Sequence, residues 1–140
     1  MTILQTSRLK VLLTGATGLL GRNLAPALST HFSCASVGFS QYSEQENWLY
    51  CDLTDSSAAE NLVKETAPDI VIHTVALTDV DQCEREPAHA HRINVTTTKN
   101  LVAALNRFHP DCKMVYISTD QVYDGPGEHR EDKPAPPNVY

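Results

Sequence analysis

The 140-residue sequence has no long apolar run and no excess of positive charge. No stretch approaches the roughly 20 consecutive apolar residues of a membrane-spanning helix. Residues 1–10 lack both the apolar segment and the cleavage site of a secretory signal peptide. The formal net charge of −6 argues against a nucleic-acid-binding face, which requires clustered lysine and arginine. We therefore expect a cytoplasmic protein that binds neither a membrane nor nucleic acid.

Cysteine is scarce and widely spread. Cys34, Cys51, Cys83 and Cys112 include no pair at the C-x-x-C spacing of a zinc site. Three of the four lie in or beside strand-like runs, where cysteine behaves as a small apolar side chain. We therefore expect free thiols, a reducing compartment and no metal site.

Only six glycines are present, but three of them, Gly15, Gly18 and Gly21, recur at three-residue spacing. An apolar run at 9–13 precedes them and predicts a strand, and a helical pattern of leucines follows. A glycine turn in this context presents unpaired backbone N–H groups and the positive end of a helix dipole to a phosphate. We expect Gly15 to turn the chain, Gly18 to admit a pyrophosphate, and Gly21 to let the helix approach the sheet. The pattern predicts a dinucleotide site.

Strand-like and helix-like segments alternate along the rest of the chain. The predicted strands cover 9–14, 33–38, 48–51, 70–73 and 114–118. The predicted helices begin near residue 18, cover 58–66, and run from the end of a 74–81 loop to 107 with an interruption near Pro87. This alternation predicts an α/β fold, a Rossmann-like parallel sheet with helices on both faces. Its ligand would lie beyond the carboxyl ends of the strands.

Several local features refine this prediction. Pro26 should kink the first helix or end it early, because proline removes a helical hydrogen bond. Asp55 is placed to cap the second helix. The positions predicted to face inward are Leu62, Val63, Ile93, Leu101, Val102 and Leu105. Residues 120–140 are rich in proline, glycine and charge, which is typical either of a disordered tail or of an active-site loop.

The end of the second predicted strand bears on which nucleotide is bound. NAD is usually held by an acid at that position, but the first acid here is Glu44. No arginine stands there either, so a 2′-phosphate would depend on Ser40, Gln41 or Arg22. We therefore predict NADP, with NAD as the alternative. Asp52, after the third strand, either accepts a hydrogen bond from the adenine amino group or is a loop carboxylate in water.

Several motifs together resemble one superfamily. The G-A-T-G-L-L-G sequence at 15–21 has the G-x-x-G-x-x-G form of the extended short-chain dehydrogenase/reductases. The segments at 52–55, 68–76 and 93–101 also resemble this superfamily, with Thr97 where a glycine is common. The Y-I-S-T-D-Q-V-Y-D-G sequence at 116–125 and the P-A-P-P-N-V-Y sequence at 134–140 resemble the dTDP-4-dehydrorhamnose reductase group. The resemblance runs over nearly the whole chain.

This resemblance implies NADPH-dependent reduction of the 4-keto group of a nucleotide-linked sugar. Thr119 would hydrogen-bond the substrate carbonyl with support from Ser118, and Tyr140 would donate a proton to the developing alkoxide. The implied cofactor-binding residues are Gly15, Thr17, Gly18, Leu19, Leu20, Gly21, Ser40, Asp52, Leu53, Thr74, Val75, Ala76 and Ser118. The implied substrate-binding residues are Thr78, Val80, Asp81 and Thr119.

Two further polar residues have open roles. Asn94 matches a position that holds water or backbone near the site, and it could equally be a polar residue of helix packing. His73 is expected to be a packed residue at a strand end and not a base, because the family uses tyrosine and lysine.

The sequence departs from the family pattern after Tyr140, before the lysine that would follow four residues later. It resembles the first half of a protein of roughly 280–300 residues, a size at which a second lobe is ordinary. We therefore expect residues 1–140 to form an incomplete NAD(P)-binding domain without its substrate lobe, inactive by itself. Its fifth strand would then be an exposed apolar edge that favours a homodimer.

A second interpretation belongs to a different class. The non-catalytic beta subunit of methionine adenosyltransferase resembles the same reductase group, including the T-G-A-T-G-L-L-G-R sequence at 14–22. In that case the chain would bind NADP and use its surface to contact a protein partner.

Overall fold

The computed structural model describes residues 8–39 and 47–140. It contains one parallel sheet of five strands: β1 (Lys10–Thr14), β2 (Ser33–Gly38), β3 (Trp48–Tyr50), β4 (Ile70–His73) and β5 (Lys113–Tyr116). The strands lie in the order β3-β2-β1-β4-β5, and every neighbouring pair is parallel. The predicted Rossmann-like α/β fold is confirmed. From β1 the chain adds β2 and β3 on one side and then β4 and β5 on the other, so the switch point lies between β1 and β4. In such sheets the ligand crevice lies at the carboxyl ends of the two strands at the switch point.

The helices cover both faces of the sheet. They are α1 (Leu19–His31), α2 (Ser56–Thr66), α3 (Val80–Arg85), α4 (Pro87–His91) and α5 (Thr97–Phe108), with a π-helical segment at Arg92–Thr96 and a 3-10 turn at Asp120–Val122. No helix in the described ranges has the length and apolarity to cross a bilayer.

The core is divided into two layers by β1. Successive side chains of a strand point to opposite faces, so Val11 and Leu13 pack towards α1 while Leu12 packs towards α2 and α5. The α1 layer contains Val11, Leu13, Ala16, Ala25 and Cys34. The other layer contains Leu12, Val37, Cys51, Leu53, Ala59, Leu62, Val63, Val71, Leu101, Ala104 and Leu105.

The prediction that Pro26 ends the first helix early is wrong. α1 continues through Pro26 to His31. Proline has no N–H, so Pro26 leaves the Arg22 carbonyl without its helical hydrogen bond. Both residues are exposed, and water can therefore donate to that carbonyl. The helix therefore continues past Pro26, which lies on its solvent-exposed face.

The second helix begins as predicted. Asp55 Oδ1 accepts hydrogen bonds from the backbone N–H of Ser57 at 2.8 Å and of Ala58 at 3.4 Å. The predicted inward residues Leu62 and Val63 are buried. An N-cap of this kind contributes about 1 kcal/mol, which helps to hold the loop that follows β3.

Two predictions about the third helical region need correction. The loop after β4 ends at Asp79, which caps α3, so Val80 and Asp81 are helical and do not belong to that loop. Val102 is exposed, because it lies one position beyond the face of α5 that carries Leu101 and Leu105. Ala104 fills the inward position instead.

β5 pairs with β4 and forms one edge of the described sheet. Val115, Tyr116 and Ile117 are between 43% and 52% exposed, so the predicted apolar edge is present in this chain. The segment that follows has no strand and no α-helix, but it is not without contacts. Ala135 N–H donates to the Val122 carbonyl at 2.8 Å, and Val139 N–H donates to Glu84 Oε1 of α3 at 2.7 Å.

Candidate functional site

The turn after β1 is built around Gly15. Gly15 has φ +75°, a conformation that L side chains rarely adopt. A Cβ atom at Gly15 would lie 2.7 Å from Thr74 Oγ1 and 2.8 Å from Val75 N, so the chain after β4 passes directly beside the turn. Thr74 Oγ1 donates to the Thr14 carbonyl at 2.8 Å, and this hydrogen bond fixes the approach of the two strand ends. The turn therefore depends on glycine both for its conformation and for its closeness to β4.

The other two glycines have different roles. A Cβ at Gly21 would overlap the Gly15 carbonyl oxygen, so Gly21 lets α1 approach the turn itself. A Cβ at Gly18 would meet only the Gly15 carbonyl oxygen, at 3.3 Å, and the site beside Gly18 is otherwise open. Gly15 turns the chain after β1, as predicted. Gly21 was predicted to let the helix approach the sheet, and the structure shows that the close approach is between α1 and the turn at Gly15 and Ala16.

The N-terminus of α1 is available to an anion. Gly18 is its N-cap and supplies no side chain that could accept the first N–H groups, and the first turn carries no acidic residue. α1 is 13 residues long, so its dipole places partial positive charge at this end. Unpaired N–H groups and positive potential therefore coincide at the glycine turn.

This turn opens onto a cleft of about 490 Å³ at the carboxyl edge of the sheet. Eight of the predicted cofactor residues line it: Gly15, Thr17, Gly18, Asp52, Leu53, Thr74, Val75 and Ala76. Leu19, Leu20, Gly21 and Ser118 do not line it, and Leu19 is 85% exposed on the first turn of α1. Ser40 lies outside the described residues, as do Gln41 and Glu44.

Asp52 lies on the cleft wall, but half of its carboxylate is already engaged. Oδ1 accepts hydrogen bonds from Thr54 N–H at 2.9 Å and from Thr54 Oγ1 at 2.7 Å. The residue is half-buried, and so it is not the free loop carboxylate of the alternative interpretation. Its role towards adenine stays a prediction.

Some cleft residues were not predicted from the sequence as site residues. They are Val37, Gly38, Phe39, Cys51, Thr54, Leu77, His89, Arg92, Ile93 and Thr97. Several come from α4 and the π-helical segment, where the sequence analysis gave only Asn94 a possible role at the site. π-helical segments are often found at functional sites, but the amino-acid sequence carries no clear signal for one.

Cys51 forms an apolar part of this wall. Burial, together with the negative charges of Asp52, Asp55 and Glu65, raises the pKa of the Cys51 thiol to about 11. Burial also raises the pKa of Cys34, Cys83 and Cys112 above the ordinary value. All four cysteines are free thiols, and at neutral pH they are protonated and weakly nucleophilic.

Two asparagines attach the helical region to the cleft. Asn94 Oδ1 accepts the Leu77 N–H at 2.7 Å and its Nδ2 donates to the Leu77 carbonyl at 3.2 Å. Asn94 therefore holds the backbone of the loop after β4, which is one of the two roles left open for it. Asn100 Nδ2 donates to the carbonyls of Leu53 at 2.9 Å and Thr54 at 3.1 Å, which fixes α5 against the end of β3.

His73 is a packed residue, as predicted. It is 1% exposed, its Nδ1 lies 2.6 Å from Thr14 Oγ1, and its Nε2 lies 3.1 Å from Thr98 Oγ1. Burial lowers the pKa of His73 to about 4, so the ring is neutral at pH 7. Both ring nitrogens have hydroxyl partners within the fold.

The residues predicted to be catalytic lie on the β5 side. Ser118 is exposed, and Thr119 is half-buried with Oγ1 accepting the Gln121 N–H at 3.1 Å. Asn138 Nδ2 donates to Gln121 Oε1 at 2.8 Å, and Asn138 Oδ1 accepts the Tyr140 N–H at 3.1 Å. The backbone around Thr119 is thus linked to that of Tyr140 through two side chains.

The predicted substrate residues do not line the cleft. Thr78 is exposed in the loop after β4, Val80 is half-buried at the first position of α3, and Asp81 is exposed in its first turn. Their role towards a sugar stays a prediction.

The chain is similar to known proteins over nearly its whole length. Residues 9–140 match the family described as the RmlD substrate-binding domain. The methionine adenosyltransferase 2 subunit beta of Pongo abelii is 34% identical over 137 residues, which cover 94% of this chain and 39% of that protein.

Two solved structures are similar in both sequence and fold. A hypothetical dTDP-4-dehydrorhamnose reductase from Sulfolobus tokodaii superposes with a TM-score of 0.81 at 36% identity, covering 94% of this chain and 48% of the other. A dTDP-4-dehydrorhamnose reductase from Bacillus anthracis in complex with NADP superposes with a TM-score of 0.80 at 31% identity, covering 97% of this chain and 46% of the other. The chain thus spans less than half the length of each of these proteins.

Proposed function

Because the chain belongs to the RmlD substrate-binding domain family, we propose that it binds NADP in the cleft above β1, β2 and β4. We further propose that it forms the nucleotide-binding part of a reductase of a nucleotide-linked 4-keto sugar. We also propose that residues 1–140 belong to the NAD(P)-binding domain of that reductase.

The glycine turn is the observation that carries the proposal. Its two closest approaches, Gly15 to Thr74 and Val75 and Gly21 to the Gly15 carbonyl, leave no space for a Cβ atom. The third glycine, Gly18, faces open space at an uncapped helix N-terminus. A backbone cradle with one open side and no competing acid fits a pyrophosphate.

We assign the remaining contacts according to their place on the cleft. The backbone of Thr17, Leu19 and Leu20 would bind the pyrophosphate together with the three glycines. Asp52 and Leu53 would contact the adenine, and the chain after β4 would pack along the nucleotide. The residues in that last group are Thr74, Val75 and Ala76. Ser118 and Ser40, the latter outside the described residues, complete the proposed set.

The reducing chemistry would take place at the β5 side. When bound, the reduced nicotinamide supplies a hydride. Thr119 Oγ1 would donate a hydrogen bond to the substrate carbonyl, and the Tyr140 phenol would give a proton to the alkoxide. A phenol with an ordinary pKa near 10 needs a cationic neighbour to act at neutral pH. Thr78, Val80 and Asp81 would border the sugar.

The first test is nucleotide binding by this chain. Isothermal titration with NADP is expected to give saturable heat, and the Gly18→Val variant is expected to abolish that heat. The valine side chain would project into the open side of the cradle, where Gly18 leaves room for a ligand. Absence of heat at millimolar NADP for the wild-type chain would refute the proposal.

The second test addresses the reaction. The protein that contains this chain is expected to oxidise NADPH in the presence of a dTDP-linked 4-keto sugar. NADP binding without any such turnover would refute the reductase assignment and leave the nucleotide site intact.

A second candidate function rests on the similarity to methionine adenosyltransferase 2 subunit beta. In that case the chain would be a regulatory, NADP-binding component that contacts a catalytic protein partner. A change in the partner's kinetics on addition of this protein, with no turnover of the keto sugar, favours this function. The exposed apolar edge at Val115, Tyr116 and Ile117 would serve either that contact or a homodimer. We place both candidate proteins in the cytoplasm, in keeping with the four free thiols.

A further inference from the structure

Arg92 is a cation on the cleft wall whose charge is not neutralised by a described neighbour. It is the first residue of the π-helical segment, it is exposed, and it lines the cleft together with His89. The ion pairs of the described chain join Glu60 to Lys64 and Arg107, and Arg130 to Asp132. Within residues 8–39 and 47–140, the Arg92 guanidinium thus has no carboxylate partner.

The position of Arg92 is on the adenosine side of the cleft. Arg92 begins the π-helical segment that leads into α5, and α5 lies on the face of the sheet opposite to α1. Asn100 of α5 donates to the carbonyls of Leu53 and Thr54, so this helical region is held at the end of β3. The glycine turn, where the pyrophosphate is proposed to bind, belongs to α1 and the other face.

The last residues of β2 carry no charge, and Arg22 of α1, whose guanidinium donates to the Thr17 carbonyl at 3.0 Å, does not line the cleft. Gly38 and Phe39 line the cleft there, and Phe39 is 68% exposed with its ring 5.8 Å from that of Tyr50. The one carboxylate on the described cleft wall, Asp52, has Oδ1 occupied by Thr54. Among the described residues that line the cleft, Arg92 is the one with a permanent positive charge, and it is available to a dianionic group at the ribose.

We propose that Arg92 binds the 2′-phosphate of NADP and so sets the preference for NADP over NAD. This inference rests on the nucleotide binding proposed above and adds a residue to it. An arginine that accommodates the 2′-phosphate ordinarily follows the second strand. Here the corresponding group comes from the π-helical segment after α4, and His89 of α4 also lines the cleft, about one turn earlier.

The test compares Arg92→Gln with Arg85→Gln. Arg85 is also exposed, but it ends α3 and does not line the cleft, so the two variants change the net charge equally. Isothermal titration is expected to show that Arg92→Gln raises the Kd for NADP about tenfold, the size of one charge-assisted contact, and the Kd for NAD less than about twofold. Arg85→Gln is expected to change either Kd less than about twofold.

A second pair of ligands isolates the phosphate. Adenosine 2′,5′-bisphosphate and adenosine 5′-phosphate differ only at the 2′ position, and Arg92→Gln is expected to weaken only the former. Arg92→Lys keeps the charge but loses the bidentate geometry, and its Kd for NADP is expected to lie between those of wild type and Arg92→Gln. Circular dichroism melting of each variant checks that the fold is retained.

The outcomes separate this inference from the proposed function. If wild type binds NADP and NAD, and Arg92→Gln weakens both by the same factor, the charge serves the pyrophosphate and the inference about the 2′-phosphate is wrong. The same conclusion follows if Arg85→Gln has an equal effect. If wild type binds neither nucleotide at millimolar concentration, the proposed function itself fails.

Discussion

The two sides of the sheet's carboxyl edge are built in different ways. On the β1–β2 side, the glycine turn is surrounded by backbone atoms, and the residues beneath it are buried. On the β5 side, the strand residues Val115 and Tyr116 are exposed, and the chain continues to Tyr140 without a further strand. The proposed cofactor contacts lie mainly on the first side and the proposed catalytic residues on the second. The geometry of the nucleotide cradle is thus determined within this chain far more tightly than the geometry around Thr119.

Two glycines, one on each side, allow the difference in packing between the two sides to be measured. Gly15 and Gly125 have nearly the same φ, +75° and +74°. Backbone and side-chain atoms lie within 3 Å of a Cβ built at Gly15, while nothing lies within 4 Å of one built at Gly125. The backbone strain of an added side chain is therefore shared, and only the packing differs between the two positions.

The largest expected effect comes from Gly15→Ala. Positive-φ strain and the overlap with Thr74 and Val75 together should lower the free energy of unfolding by about 2–5 kcal/mol. Gly125→Ala should cost only about 1 kcal/mol, because strain alone applies. Urea unfolding followed by circular dichroism measures both. Equal losses would contradict the claim that the two regions differ in packing.

The second effect is a pH dependence due to His73. Its pKa in the folded protein is about 4, below the ordinary value of 6.5, so the unfolded chain takes up the proton first. Above pH 6.5 the ring is neutral in both the folded and the unfolded chain, and His73 does not lower the free energy of unfolding. As the pH falls from 6.5 to 4, the unfolded chain binds a proton that the folded protein does not, and the free energy of unfolding decreases by about 3 kcal/mol in total.

His73→Gln is expected to remove this part of the pH dependence, as measured by urea unfolding between pH 7.5 and 4. Thr98→Val removes the hydroxyl at Nε2 but keeps the imidazole, so it is expected to retain the wild-type slope. A His73→Gln variant that loses as much stability with falling pH as wild type would show that the burial of His73 does not govern this range.

The smallest effect compares two asparagine side chains. Asn100→Ala removes hydrogen bonds from Nδ2 to two carbonyls at the cleft, and we expect a loss of about 1–2 kcal/mol. Asn138→Ala also removes two hydrogen bonds, from Nδ2 to the Gln121 side chain and from the Tyr140 N–H to Oδ1, but on the more exposed β5 side, where we expect a loss below about 0.5 kcal/mol. Urea midpoints of the two variants decide the comparison. A larger loss for Asn138→Ala would mean that the β5 side is the more tightly held region.

The fold was predictable because its signals are local. The strands at 33–38 and 70–73 have the predicted bounds, and the other strands differ from prediction by only one or two residues at either end. The apolar runs, the Asp55 cap and the glycine spacing each depend on neighbours a few residues away. The errors also have local causes that the pattern could not resolve. Pro26 is tolerated because it faces solvent, and Val102 is outward because its neighbours take the inward face.

The site was predictable only in part. Gly15, Gly18 and Asp52 line the cleft as the motifs implied, because a motif that follows a strand is placed at the carboxyl edge by the strand itself. Arg92 and His89 were not predicted as site residues, since they precede the motif at 93–101 and do not belong to it. The contact from Asn94 to Leu77 spans 17 residues, and that from Asn100 to Leu53 spans 47.

The amino-acid sequence by itself determined the glycine cradle, because the residue types that a tight turn tolerates are a property of the turn. Only the tertiary structure decided what faces that cradle. A parallel sheet joins strands that are distant in the sequence, here β1, which ends at Thr14, and β4, which begins at Ile70, with residues 15–69 between them. The position of Arg92 on the cleft and the contact of Thr74 with Gly15 both depend on the pairing of β4 with β1, and no local pattern encodes them.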